Sequence, residues 1–178
     1  MNSRLGAAAL VALAIACRKS APASEPDPGA RAAAAVRVPM DFAFDSIDDR
    51  PVSAQATRGK PTILSFVTTS NLAAQAQVDF LVAMARHDAD RVNYVVVALE
   101  PRDSRELVEL YKKALSIPFP VAMADAQTLA GAGAFGNVNA IPVTVILDRS
   151  GRVAWRVDGR VAKSDELRNS LRIADSGH

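Results

Sequence analysis

A chain of 178 residues, 49% apolar and 22% charged, has the length for one domain and the composition of a globular protein, not a disordered or collagenous one. Its formal net charge of +2, with Lys and Arg scattered among Asp and Glu, excludes the clustered basic surface that nucleic-acid binding needs.

The first 16 residues carry Arg4 and then an apolar run from Leu5 to Ala16 that is rich in small residues. This is the layout of an export signal, and the run is shorter than the roughly 20 apolar residues of a membrane span. Ala14, Ile15, Ala16 and Cys17 resemble a bacterial lipobox, with Ala14 where Leu is usual; in that pattern Cys17 becomes the lipidated first residue of the mature chain. Cys17 is also the only cysteine, so no intramolecular disulfide can form. Lipid attachment accounts for a lone cysteine in an exported protein. Arg18 after it is similar to the sorting pattern of outer-membrane lipoproteins, so the expected location is the bacterial cell envelope, facing the periplasm, at the outer membrane before the inner. Residues 17–37, rich in Pro, Ala and Ser, read as a flexible tether.

A folded domain is expected over 38–173, with a short tail at 174–178. MDFAFDSIDDRPVSA alternates around Asp48, Asp49 and Arg50, which predicts a hairpin. PTILSFVTT is an apolar run without alternation, as in a strand covered on both faces. From Asn71 the period changes: Leu72, Ala76, Phe80, Leu81 and Met84 predict one apolar stripe of a helix. NYVVVALE reads as a second buried strand and SRELVELYKKAL as a second helix with Ser104 as N-cap. FPVAMAD predicts a short strand, followed by a helix from about Ala126 to Ala134 that ends near Gly136. PVTVILDRSGRVAWRVDG predicts two strands joined at Asp148 to Gly151, and AKSDELRNSLRI a closing amphipathic helix. Strands alternating with helices and then a hairpin predict an α/β domain, a central mixed sheet with helices on both faces.

Three segments in that order carry a resemblance. DDRPVSAQATRGKPTILSF resembles a stretch ending RGKPxxLxF, IPFPVAMAD is similar to FPVxxD, and FGNVNAIPVTVILDRSGRV to YGVxxxPTxxxIDxxGxI. These are features of periplasmic thioredoxin-like proteins of the TlpA/ResA and redoxin type, and the resemblance covers roughly 38–173. It implies a thioredoxin-like fold and a cis peptide bond between Ile141 and Pro142, whose exposed backbone pairs with an extended partner chain. It also implies a W-C-x-x-C motif after the strand. When LSFVTTSNLAAQAQ is laid on LxFWATWCPPCRAE without gaps, the two cysteine positions fall on Asn71 and Ala74, and the Trp position on Ser70.

Thiol–disulfide exchange and thiol peroxidase chemistry need a thiolate and a resolving thiol, and Asn71 and Ala74 supply neither. The hydroxyls of Thr68, Thr69 and Ser70 lack a base, since a helix running from Asn71 puts His87 about 24 Å away. His87 and His178 are the only histidines, so no metal cluster and no cofactor is expected. Glu100 and Asp103 follow the second strand and read as surface carboxylates. What remains is a groove formed by Ser70, Asn71, Ile141 and Pro142 beside a helix N-terminus. The leading expectation is a redox-inactive binding or scaffold protein whose partner is an extended peptide or envelope protein, with membrane contact through the lipid anchor. The alternative is a thiol–disulfide oxidoreductase or peroxiredoxin-related enzyme by descent that acts with a partner's cysteines.

Overall fold

The computed structural model describes residues 38–176; Cys17, the export signal, the tether and His178 lie outside them. Seven strands form one sheet in the order β2-β1-β5-β4-β3-β6-β7. Their ranges are β1 Ala43–Ser46, β2 Val52–Ser53, β3 Thr62–Val67, β4 Asn93–Ala98, β5 Val121–Met123, β6 Val143–Leu147 and β7 Val153–Asp158. The central strand β3 is buried at all six positions, as its unbroken apolar run predicts. It pairs in parallel with β4 and antiparallel with β6, so the sheet is mixed. The expected hairpins are present as β1–β2 and β6–β7.

Helix α1 (Ala54–Thr57) is a single turn after β2; α2 (Leu72–Asp88) and α3 (Arg105–Ala114) link β3 to β4 and β4 to β5. Both crossovers step across the sheet in the same direction, so right-handed connection puts both helices on one face. The closing helix α5 (Ser164–Ser176) joins them there, with Val78 and Leu81 of α2, Val108 of α3 and Leu167 and Leu171 of α5 in one core cluster. The opposite face is covered by α1, by α4 (Ala126–Leu129) and by irregular chain. Its centre is an aromatic quartet: Phe135 lies 5.2 Å from both Phe42 and Phe66 by ring centroids, and Phe44 lies 6.1 Å from Phe66. Each such pair contributes about 0.5–1.5 kcal/mol beyond the area it buries.

Several elements depart from the sequence expectation. The buried stripe of α2 is Ala74, Gln77, Val78, Leu81 and Met84, not the stripe that starts at Leu72; Leu72 is 82% exposed and Phe80 40%. The two patterns share Leu81 and Met84, and tertiary packing decides which of the neighbouring stripes turns inward. The helix expected from Ala126 to Ala134 stops at Leu129. Gly131 adopts φ +73°, and the Gly131 and Ala132 N–H groups donate to the Thr128 and Gln127 carbonyls, a Schellman stop. Gly133 then passes so close to Thr128 that an added Cβ would lie 2.9 Å from its Cα. Ser104 precedes α3, but its hydroxyl makes no capping bond; a short 3-10 turn over Arg102–Ser104 leads into the helix instead. Helix α5 continues past Ile173 to Ser176 and buries Ala174, so the domain runs further than 173.

The hairpin is fastened to α3 by charge. Asp48 accepts from Arg50 at 2.6 Å and from Lys112. Partial burial pushes the Asp48 pKa up, but the Arg50 and Lys112 hydrogen bonds outweigh it and hold the carboxyl well below the usual carboxylate range. On the helix-covered face Tyr94 donates to Asp88; burial first, then this carboxylate, pushes its phenol above the ordinary value. Tyr111 is pushed up to about 12 by burial and by the Asp79 charge.

Candidate functional site

The junction between β3 and α2 and the start of β6 occupy the same end of the sheet. Register fixes this: Phe66 is paired with Val143, and each segment runs only a few residues beyond that rung. Asn71 is the N-cap of α2, its Oδ1 accepting from the Ala74 N–H at 2.9 Å, while its own carbonyl accepts from the Gln75 N–H at 3.0 Å. The amide therefore meets one of the four backbone donors that a helix start leaves without a partner. Ala74 is 0% exposed, so its methyl belongs to the core and not to a reactive surface. Ser70 and Leu72 flank this turn as exposed side chains.

The Ile141–Pro142 peptide bond is cis. The Gly159 N–H donates to the carbonyls on either side, Ala140 at 2.7 Å and Pro142 at 3.0 Å. Among the described residues the N–H and C=O of Ile141 take no hydrogen bond, and its side chain is half-buried. The register thus puts Ser70, Asn71, Ile141 and Pro142 at one end of the sheet, the end that holds both the unpaired Ile141 backbone and the capped start of α2. His87 sits in the last turn of the unbroken helix that Asn71 begins, which separates it from Ser70 as expected. Among the described residues no group of three or more His, Cys, Asp or Glu side chains is placed to hold a metal ion.

Two residues were underrated by the sequence. Glu100 is not a bystander on the surface: its Oε1 accepts from the Thr69 N–H at 2.8 Å and from the Thr69 hydroxyl at 2.7 Å. It clamps the loop that delivers Asn71. The parallel register carries the signal, because Val67 is paired with Ala98, and two residues further along each strand are Thr69 and Glu100. Asp103 is exposed, as expected. Gln77, one turn beyond Ala74, is 0% exposed. Its Oε1 accepts from the Ala162 N–H at 2.6 Å, and its Nε2 has no partner. In the motif LxFWATWCPPCRAE on which this stretch was laid, the position of Gln77 is Glu. A buried amide donor without a partner costs about 1–3 kcal/mol.

No protein-family model matches the chain, and no curated protein matches it in sequence. Solved structures do match. A DsbF homologue from Corynebacterium diphtheriae superposes with a TM-score of 0.66 at 16% identity over 86% of this chain and 96% of that one. A thiol:disulfide interchange protein of the thioredoxin family from Chlorobium tepidum gives 0.64 at 21% identity, covering 85% and 99%. A secreted Mycobacterium tuberculosis disulfide oxidoreductase homologous to E. coli DsbE gives 0.61 at 18%, covering 74% and 95%. The fold is thioredoxin-like, with the α/β architecture expected from the sequence.

Proposed function

We propose that the protein is a thioredoxin-like envelope protein descended from thiol–disulfide oxidoreductases, which binds an extended segment of a partner without redox chemistry. The observation that carries this reading is the pair Asn71 and Ala74: the first is consumed in capping the helix and the second is wholly buried, at the two places where the family carries cysteines. The unpaired Ile141 backbone supplies the strand-pairing edge, since an extended chain satisfies an N–H and a C=O at once. Leu72, largely exposed at the same end of the sheet, supplies apolar contact for a partner side chain. Two structures of similar fold are a secreted disulfide oxidoreductase and a secreted thiol-disulfide isomerase, which supports export of this chain also. The lipobox-like sequence at Cys17 supports a lipid anchor at the outer membrane.

A photocrosslinking residue at Leu72, in the full chain expressed in cells, is expected to capture a discrete partner. Adding Ile141→Asp, which puts a charge on the edge, is expected to abolish the adduct while leaving the fold intact. Identical adducts with and without Ile141→Asp, or none at all, would overturn the binding reading. Insulin reduction by the full chain at a rate that survives Cys17→Ser would overturn the redox-inactive part. The anchor has its own test: labelled fatty acid should enter the protein and be lost in Cys17→Ser.

A further inference from the structure

The end of the sheet opposite Asn71 carries a groove of about 910 Å³, bounded by the loop before β3, the turn after α2, the β6–β7 turn and one face of α5. That volume is in the range of sites for small organic ligands, about 300–1,000 Å³. Two of its carboxylates are already engaged. Asp88 accepts from Tyr94 and lies 3.8 Å from Arg91, and Asp175 pairs with Arg149 at 2.5 Å. Three further cations line the groove, Lys60, Arg168 and Arg172, and among the described residues none of them has a carboxylate partner. Arg172 donates only to the Asn169 amide. Arg168 and Arg172 are one helical turn apart, which sets their Cβ atoms about 5–6 Å from each other on the same face of α5. Asp165, three residues before Arg168 on the same helix, and Asp90, in the turn after α2, also line the groove. Pro61 and Leu171 add an apolar floor.

Guanidinium groups at this spacing suit a tetrahedral dianion, because each can offer two parallel N–H donors to its oxygens. A single carboxylate would leave one of the three cations unmatched, and Asp90 and Asp165 favour a ligand that also donates hydrogen bonds. We propose that this groove binds a phosphate-bearing small molecule, with Lys60, Arg168 and Arg172 holding the phosphate and Asp90 and Asp165 accepting from a hydroxyl or ammonium group beside it. A soluble phosphate ester and a phospholipid headgroup share this chemistry. The site is at the far end of the domain from Ser70 and Ile141, so its failure leaves the strand-binding reading untouched.

The test is calorimetric titration of the full chain in neutral detergent micelles at constant ionic strength. The probes are inorganic phosphate, phosphoethanolamine, and micelles doped with phosphatidic acid, each a phosphate or phosphomonoester able to carry two charges, with chloride as the reference anion. Saturable binding of phosphate or of the ester is expected, weakened roughly tenfold or more by Arg168→Gln/Arg172→Gln and also weakened by Lys60→Gln in the exposed loop. Removing as much charge elsewhere, with Arg102→Gln/Lys113→Gln, is expected to leave it unchanged. Saturable binding by the soluble probes identifies a soluble ester as the source. Binding by doped micelles alone, lost in the groove variants, identifies a headgroup. The proposal is overturned if no probe binds better than chloride, or if the control pair weakens binding as much as the groove pair. Unchanged far-UV circular dichroism of each variant separates loss of the site from loss of the fold.

Discussion

Ser116 holds φ +50° just after α3, the left-handed region that costs an ordinary side chain about 1 kcal/mol. It stands there because the helix stops in a Schellman turn, with the Ser116 and Ile117 N–H groups donating to the Lys113 and Lys112 carbonyls. Ser116→Gly is therefore expected to stabilise the fold by roughly 0.5–1 kcal/mol, read as a higher urea midpoint at unchanged slope. A lower midpoint would show that the serine serves some contact of its own. The two tyrosines give a second residue-scale expectation. Both Tyr94 and Tyr111 have folded pKa values above the unfolded value of about 10, so the stability they contribute is complete below that pH. It is lost as pH rises through the folded values, about 12 for Tyr111. Ultraviolet titration should find almost no tyrosinate at pH 10.5 in the native protein and about one and a half groups per chain in urea. Half-ionisation near 10 in the native state would contradict their burial. Of such single-residue features the sequence shows little: the left-handed Ser116 has no local marker, and the role of Glu100 follows only once β3 and β4 are known to be parallel.

If the strand-to-helix junction has the shape of a thioredoxin-like active site, as the proposed descent requires, restoring two cysteines there is a direct way to show it. Residues 71 and 74 are three apart at a helix start, a spacing that brings their Cα atoms within the range a disulfide bridges. The variant Asn71→Cys/Ala74→Cys, in a Cys17→Ser background, is expected to lose two titratable thiols on mild oxidation and to gain measurable insulin reduction. The helix N-terminus would favour the thiolate of residue 71. Two thiols that stay reduced, or a disulfide without turnover, would mean that the groove has drifted from the ancestral geometry. Elements of this kind were largely legible from sequence. The unbroken apolar runs of β3 and β4 and the turn at Asp148 to Gly151 each speak for themselves. The face of α2 did not, because Leu72 and Phe80 complete one plausible stripe and Gln77 spoils the other. That amide sits in the core for a reason found only in three dimensions, the Ala162 N–H that it accepts. Helix α4 was overextended because Ala-rich sequence favours helix, while the stop lies in the left-handed Gly131.

At the scale of the whole molecule, Asp48 joins the N-terminal hairpin to α3 across the edge of the sheet. Its folded pKa is depressed below the unfolded value of about 3.9, so the stabilisation is present above that pH and lost as pH falls toward the folded value. Asp48→Asn is expected to cost about 1 kcal/mol at pH 7 and to cost less as pH is lowered below about 4, since wild type then loses the same contribution. A gap between the urea midpoints that stays constant from pH 7 to pH 2.5 would refute the ionic origin. The groove along α5, assembled from four separate segments, has no signature in any one stretch of sequence; only the closed fold brings Lys60 to Arg168. The chain enters this fold with the Met40 N–H donating to the Gly151 carbonyl at 2.8 Å, at the β6–β7 turn. That contact gives the domain a polarity. The described chain enters the domain on the Arg149 side, at the end that carries the groove along α5. Ser70 and Ile141 lie a strand length of about 20 Å further on, so whatever occupies the groove sits beside the chain's entry and whatever pairs with Ile141 sits remote from it, with the sheet between them.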